Sequence, residues 1–257
     1  MTAARAGTVV ITGAAGALGS ATASAFVGAG FEVVGLDVDP AVVELDLPAF
    51  RGFCVELTDA DAVEEVTGRL ATTETLRHLV GVAGGALAEE PPTRHDPWLL
   101  APEDFRRSLE RNLTSQYIVL RAVLPWFRSS APAGAAAGPS ASDRSMTLIS
   151  SWNALSAQGM PAYSAAKAGL IGMMHALVRP LGAEAIRINV VAPGTIRTPR
   201  TERIWAHDEG HFDRLAQTAA IGRLGVPQDV ADTCLSLATD LTHVCGQVLV
   251  VDGGQGA

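Results

Sequence analysis

Thr8-Val9-Val10-Ile11-Thr12-Gly13-Ala14-Ala15-Gly16-Ala17-Leu18-Gly19 decides how this 257-residue chain reads. Its first five residues are all β-branched, as expected of a strand covered on both faces. The turn that follows carries almost no side chains, and a helix-length segment, Ala17–Ala29, comes after it. A tight glycine turn at a helix N-terminus lets backbone N–H groups and the helix dipole meet a diphosphate, which larger side chains would hold away. Gly13, Gly16, Leu18 and Gly19 are therefore candidate phosphate-cradle residues.

The next apolar run ends Val33-Val34-Gly35-Leu36-Asp37, which puts Asp37 18 residues after Gly19. A carboxylate there can accept hydrogen bonds from both hydroxyls of an adenosine ribose and would repel a 2′-phosphate. Val38 follows, with no Arg or Lys to neutralise such a phosphate. The expected cofactor is thus NAD rather than NADP.

Outward from this unit, short apolar runs alternate with amphipathic stretches. Candidate strands are Thr8–Thr12, Glu32–Leu36, Gly52–Glu56, His78–Val82, Met146–Ser150, Ile186–Val191 and Gln247–Val251. Candidate helices are Ala17–Ala29, Ala60–Ala71, Pro102–Arg128, Ala162–Arg179 and Val226–Ala238. Alternation of this kind predicts an α/β fold, a doubly wound sheet of about seven parallel strands with helices on both faces. Chemistry is expected on the segments that directly follow each strand, near the switch point. Residues 1–257 read as one domain, with a Pro/Ala/Gly/Ser-rich surface insertion at 129–145 and an irregular excursion at 86–101. Thr58-Asp59-Ala60-Asp61 resembles a capping box. Pro180 should kink or end its helix.

Tyr163 and Lys167 lie four apart and share one face of the helix that contains them. A proton exchanged at a carbonyl oxygen needs a group that ionises near working pH. A nearby ammonium stabilises phenolate and draws a tyrosine down from about 10. The pair then serves as a general acid/base. A strand ending at Ser150-Ser151 precedes it, and the glycine turn lies further upstream.

Taken together, these motifs resemble the short-chain dehydrogenase/reductase family from about Thr8 to Gly254. The carriers are the Thr12–Gly19 loop, Asn112 in Arg111-Asn112-Leu113, Ser151, Tyr163 with Lys167, Pro193-Gly194-Thr195-Ile196-Arg197-Thr198, and Gly246–Gly254. The resemblance implies a single Rossmann domain and hydride transfer between NAD and a secondary alcohol or ketone. It implies that Tyr163 is the acid/base and that Ser151, rather than Ser150, holds the substrate oxygen. Lys167 then binds the nicotinamide ribose, and Asn112 positions a water linking Lys167 to solvent. Backbone at Ile196 and the Thr198 hydroxyl hold the carboxamide. It further implies cofactor contacts at Glu56, Leu57, Ala83, Gly84, Pro193 and Gly194. A substrate loop falls at about 195–221, and the helices of Asn112 and Tyr163 pair in a homodimer or homotetramer.

Three positions depart from the family pattern. Ala17 stands where glycine is commonest, and Glu56 where a shorter acid is usual. Gly81-Val82-Ala83-Gly84 replaces Asn-Asn-Ala-Gly and lacks a side chain that normally ties neighbouring strands.

Trp152, Asn153, Gln158 and Trp205, with Ser151, are expected to line a mixed apolar and polar substrate pocket. His207 and His211 do not form a metal motif, and no metal is expected. A net charge of −8 argues against nucleic acid or an anionic membrane as partner. Three scattered cysteines and the absence of a sustained apolar block point to a cytoplasmic protein. The competing classes are a catalytically silent NAD-binding regulator of the same fold and a methyltransferase. Neither needs the set Ser151, Tyr163, Lys167 and Asn112. An enoyl reductase would space Tyr and Lys more widely.

Overall fold

A computed structural model describes residues 7–130, 143–156, 159–206 and 208–256. Seven strands form one sheet: β1 (Thr8–Thr12), β2 (Glu32–Asp37), β3 (Phe50–Cys54), β4 (Leu76–Gly81), β5 (Arg144–Ile149), β6 (Ile186–Pro193) and β7 (Val248–Val251). Every pairing is parallel, in the order β3-β2-β1-β4-β5-β6-β7. The order reverses between β1 and β4, and the crevice beyond their carboxyl ends is where such sheets take ligands.

Helices cover both faces. On one side lie α1 (Ala17–Gly28) and α8 (Pro227–Thr239), whose Ala23, Phe26, Val230 and Leu237 are buried against Val9, Ile11 and Val191. The other side carries α2 (Ala60–Leu70), α4 (Ser115–Ser129) and α5 (Pro161–Ala183). There Val63, Val119, Trp126, Leu170 and Met174 close over Val10, Leu79 and Leu148. Burying one large apolar side chain of this kind contributes about 1.5–3 kcal/mol. Trp126 also satisfies its indole N–H on the Glu74 carbonyl at 2.8 Å, as a buried tryptophan requires.

Several local expectations are corrected. The cap of α2 is Asp59, one residue later than Thr58, and its carboxylate accepts from the Ala62 N–H at 3.0 Å. β3 and β4 each begin two residues earlier than the apolar pattern suggests. Parallel pairing of Val33 with Phe50 sets the start of β3, leaving Glu56 beyond its end. The stretch 102–128 is two helices, α3 (Pro102–Leu109) and α4, joined without a break by a π-helical turn at Glu110–Thr114. Pro180 does not end α5, which runs on to Ala183. Ala176 and Pro180 are both exposed, so water satisfies the carbonyl that the proline leaves unbonded. The insertion is shorter than 129–145: Ser129 closes α4, and Arg144 opens β5 as a buried side chain bonded to the Phe127 carbonyl at 2.7 Å. Residues 131–142 lie outside the described residues.

Candidate active site

β1 delivers the glycine turn. Gly13 has φ +67°, and a Cβ there would sit 2.8 Å from the Ala83 Cα, so the loops after β1 and β4 touch. A Cβ on Gly19 would fall 2.0 Å from the Gly13 carbonyl oxygen, which holds the turn tight against α1. Gly16 caps α1 with no side-chain bond, and no acid lies in the first turn. The N–H groups a helix cannot bond internally are therefore left for an anion. The Asp37 carboxylate stands beside this loop, accepting from Ala15 N–H at 2.9 Å and Asp39 N–H at 3.0 Å. Val38 is 57% exposed beyond it. These residues fit an adenine dinucleotide. Leu57 is buried, but exposed Glu56 is engaged by Thr58, from its N–H at 3.1 Å and its hydroxyl at 3.0 Å.

Four groups gather beyond β4 and β5. Ser150 is buried and donates to the Lys167 carbonyl at 2.8 Å, a structural bond within the chain. Ser151 instead faces the Tyr163 phenol, close enough to favour its ionised form. The Lys167 Nζ lies 5.7 Å from the centre of the Tyr163 ring and donates to the Ile149 carbonyl at 2.8 Å. Asn112 sits fully buried in the π-helical turn, a local overwinding that often marks functional sites. Its Oδ1 accepts from Gly85 N–H at 2.7 Å, and its Nδ2 donates to the Gly85 carbonyl at 3.2 Å and the Ser108 carbonyl at 3.0 Å. A Cβ on Gly84 would meet Asn112 Oδ1 at 2.5 Å and Lys167 Nζ at 3.2 Å, which places both beside the Gly84 backbone.

The electrostatics differ from the simple pairing expected from sequence. Burial dominates at Tyr163 and pushes its phenol above the usual tyrosine value, with the Ser151 hydrogen bond and the Arg200 charge opposing it. Burial also drops the Lys167 ammonium to about 8. The lysine alone therefore does not make the phenol acidic; the nearby stabilising charge is Arg200.

Sequence reasoning missed three residues here. Arg200 lies in the first turn of α6 (Pro199–Ile204) and donates to the Ala86 carbonyl. Only folding brings it there, since 114 residues separate the two. Glu90 is fully buried, accepting from Leu87 N–H at 2.5 Å and the Ser108 hydroxyl at 3.1 Å. Gln116 answers the missing strand tie at position 81. Its Nε2 donates to the Ala83 carbonyl at 2.8 Å, and its Oε1 occupies the space a Gly81 Cβ would take, 2.3 Å away. The Ala83 N–H is held from the other side by the Thr12 hydroxyl at 3.1 Å.

The remaining expected residues divide. Ile196 is buried and bridges to Gly225 after β6, while Pro193 ends that strand. A Cβ on Gly194 would meet the Asp252 Cβ at 2.6 Å. The Thr198 hydroxyl forms a capping box with Thr201 at the start of α6, accepting from Thr201 N–H at 3.1 Å. Trp152 and Asn153 lie in a short turn after Ser151, and the Ser151 Oγ accepts from Asn153 N–H at 3.2 Å. Trp205 stacks on His211 at 4.1 Å between ring centres, and His211 bonds Asp208 at 2.9 Å. Gln158 and His207 lie outside the described residues. No group of metal-ligating side chains forms among the described residues. A cleft of about 420 Å³ opens between the 86–92 segment and α6, lined by Leu87, Pro91, Pro92, Arg200 and Ile204.

A family model described as enoyl-(acyl carrier protein) reductase matches residues 13–255. An uncharacterised oxidoreductase of Schizosaccharomyces pombe is 33% identical over 96% of this chain and 89% of its own. The 2,3-dihydro-2,3-dihydroxybenzoate dehydrogenase of Escherichia coli is 32% identical over 96% of this chain and 95% of its own. A crystal structure of a short-chain dehydrogenase/reductase-family oxidoreductase from Burkholderia thailandensis superposes with a TM-score of 0.84 at 32% identity, covering 97% of this chain and 92% of that one. The glycine turn, the seven-stranded parallel order and the near-complete span of these matches lead to one assignment: the chain belongs to the short-chain dehydrogenase/reductase family of oxidoreductases, which bind nicotinamide cofactors.

Proposed function

We propose that this protein is an NAD-dependent dehydrogenase/reductase acting on a secondary alcohol or ketone. The carrying observation is that the Ser151 hydroxyl lies close enough to the Tyr163 phenol to act on its ionisation while the Lys167 Nζ lies 5.7 Å from the centre of the same ring. Bound nicotinamide would supply or accept the hydride. Tyr163 gives its proton to the carbonyl oxygen in reduction and removes one from the alcohol in oxidation. Ser151 holds that oxygen so that the phenol addresses it. Burial favours the neutral phenol, so the resting site is set up as a proton donor. The positive charge of Arg200 stabilises phenolate once the proton has left.

NAD preference rests on Asp37 and on the exposed, uncharged Val38 beside it. A 2′-phosphate placed there would meet a carboxylate with no cation to offset it. The four-residue spacing of Tyr163 and Lys167 supports carbonyl rather than enoyl chemistry. Pairing with a second copy is supported by the small residues Ala165, Ala168 and Gly172, exposed along α5. Sizing chromatography tests that part, with a monomer as the contrary result.

The test of function is a panel of secondary alcohols with NAD and ketones with NADH, followed at the NADH absorbance. Tyr163→Phe should lower kcat about 10²- to 10⁴-fold while NADH binding persists. Turnover by the Phe variant equal to the parent's removes the proposal.

A further inference from the structure

Arg200 lines the cleft between the 86–92 segment and α6, within electrostatic reach of Tyr163, Arg111 and Arg203. Its charge reaches Tyr163, where it opposes the burial that raises the phenol's pKa. Arg200 is exposed, yet its guanidinium end lies on backbone: a Cβ on Gly85 would meet Nη1 at 2.6 Å and Cζ at 3.1 Å. The preceding residue, Gly84, lies against Lys167 Nζ and Asn112 Oδ1. Adjacent residues are ~3.8 Å apart at Cα, so the guanidinium and the catalytic groups are neighbours across one peptide.

Burial depresses the Arg200 pKa, and the positive charges of Arg111, next to Asn112, and Arg203, one helical turn beyond Arg200, push it the same way. Among the described residues none of the three arginines has an ion-pair partner, whereas ten other basic side chains do. The one acid that faces Arg200, buried Glu90, has both oxygens engaged by Leu87 N–H and the Ser108 hydroxyl. Arg200 spends a donor on the Ala86 carbonyl and keeps the rest of its five-donor fork. A chain with net charge −8 thus sets an arginine without an ion-pair partner within reach of its acid/base group, with two more around that arginine.

We infer that the substrate carries a carboxylate, seated on the Arg200 fork while the carbonyl or hydroxyl it reacts through lies at Tyr163. This rests on the reading of Tyr163 as acid/base and deepens it from a secondary alcohol to a hydroxy or keto acid. Arg200 is the specificity-determining residue. Arg111 and Arg203 strengthen the field that draws the anion in. A guanidinium fork matches a carboxylate in two parallel bonds, which a lysine point charge does not reproduce.

The test compares 3- and 4-oxocyclohexanecarboxylate with their methyl esters as substrates with NADH. Alongside, benzoate and benzamide are compared for their effect on the melting temperature of the NAD-bound protein. The parent should prefer acid over ester in kcat/KM, and benzoate but not benzamide should raise Tm. Arg200→Gln should shrink the acid-to-ester preference about 10- to 100-fold and abolish the benzoate shift, with Arg200→Lys retaining part of both. Equal use of acid and ester by the parent overturns the inference, as does an equal response to benzoate and benzamide. Loss of NADH affinity in Arg200→Gln as large as the loss of acid turnover also overturns it, because the fork then serves the dinucleotide. No NADH consumption with any ketone, alongside an intact Arg200-dependent benzoate shift, fails the redox reading while leaving the anion seat standing.

Discussion

At the scale of single residues, Lys167 makes the sharpest statement. Burial holds its folded pKa at about 8 against an ordinary 10.5. The folded state therefore binds this proton less tightly than the unfolded chain, and the ammonium is a burden whenever it is charged. Stability contributed by this group is present above pH 10.5 and lost as pH falls through 8. Relative to Lys167→Met, the parent should gain up to about 3 kcal/mol between pH 8 and 10.5, read by urea unfolding across that window. Identical pH slopes in parent and variant would show that the amine is solvated. Tyr163 and Lys167 were legible because their spacing is a helical period. The sign of the phenol's shift was not, because it is set by burial working against Arg200, and neither appears in the local sequence. Asn112 was legible only through family resemblance. In the fold its amide makes three bonds to Gly85 and Ser108 carbonyl and N–H groups. Asn112→Ala should accordingly cost about 1–3 kcal/mol of stability besides lowering turnover, since it strands buried backbone groups.

Between residues and the whole lie the elements, and here the junction of β4 with α4 is the informative case. Gly81 looked like a lost tie between strands, but Gln116 reaches from α4 into the space above it and holds the Ala83 carbonyl. The tie has moved from the strand to the helix. Gly81→Asn in the parent must collide with Gln116 and with Leu148 Cδ2, 2.9 Å from the new Cβ. It should destabilise by about 1–3 kcal/mol. Gln116→Ala alone should cost a similar amount by leaving the Ala83 carbonyl unpaired. Combined, the two should cost clearly less than their sum, a coupling measurable by a double-mutant cycle in urea; strict additivity would refute the substitution of one tie for the other. Gly81 gives no hint in sequence of a partner 35 positions later. The π-helical turn at Glu110–Thr114 was equally hidden, since apolar spacing across 102–128 fits one uninterrupted helix. By contrast, strands such as β1 and β6 were plain because both faces are covered and their sequences are nearly all apolar or β-branched.

For the molecule as a whole, the parallel order β3-β2-β1-β4-β5-β6-β7 puts the glycine turn, the acid at the end of β2 and the start of the helix carrying Tyr163 at the carboxyl ends of the strands of one sheet. The architecture followed from strand and helix alternation, whereas the cleft wall did not, because Arg200 meets Ala86 only through tertiary closure. A dinucleotide bound across the switch point would reach the loops after β1 and β2 and those after β4, β5 and β6, and so link the two halves of the sheet. Such a ligand stabilises only the folded state. At a hundred times its Kd it adds about 2.7 kcal/mol. For a chain of this size that corresponds to a rise of roughly 5–11 °C in Tm. NADH should produce this rise, and NADPH at the same concentration should produce much less, because Asp37 would face the extra phosphate beside uncharged Val38. Asp37→Ser should narrow the gap by removing the repulsion, and Asp37→Ser with Val38→Arg should reverse it by adding a cation where the phosphate would lie. An equal or larger shift with NADPH in the parent would overturn the assignment of NAD.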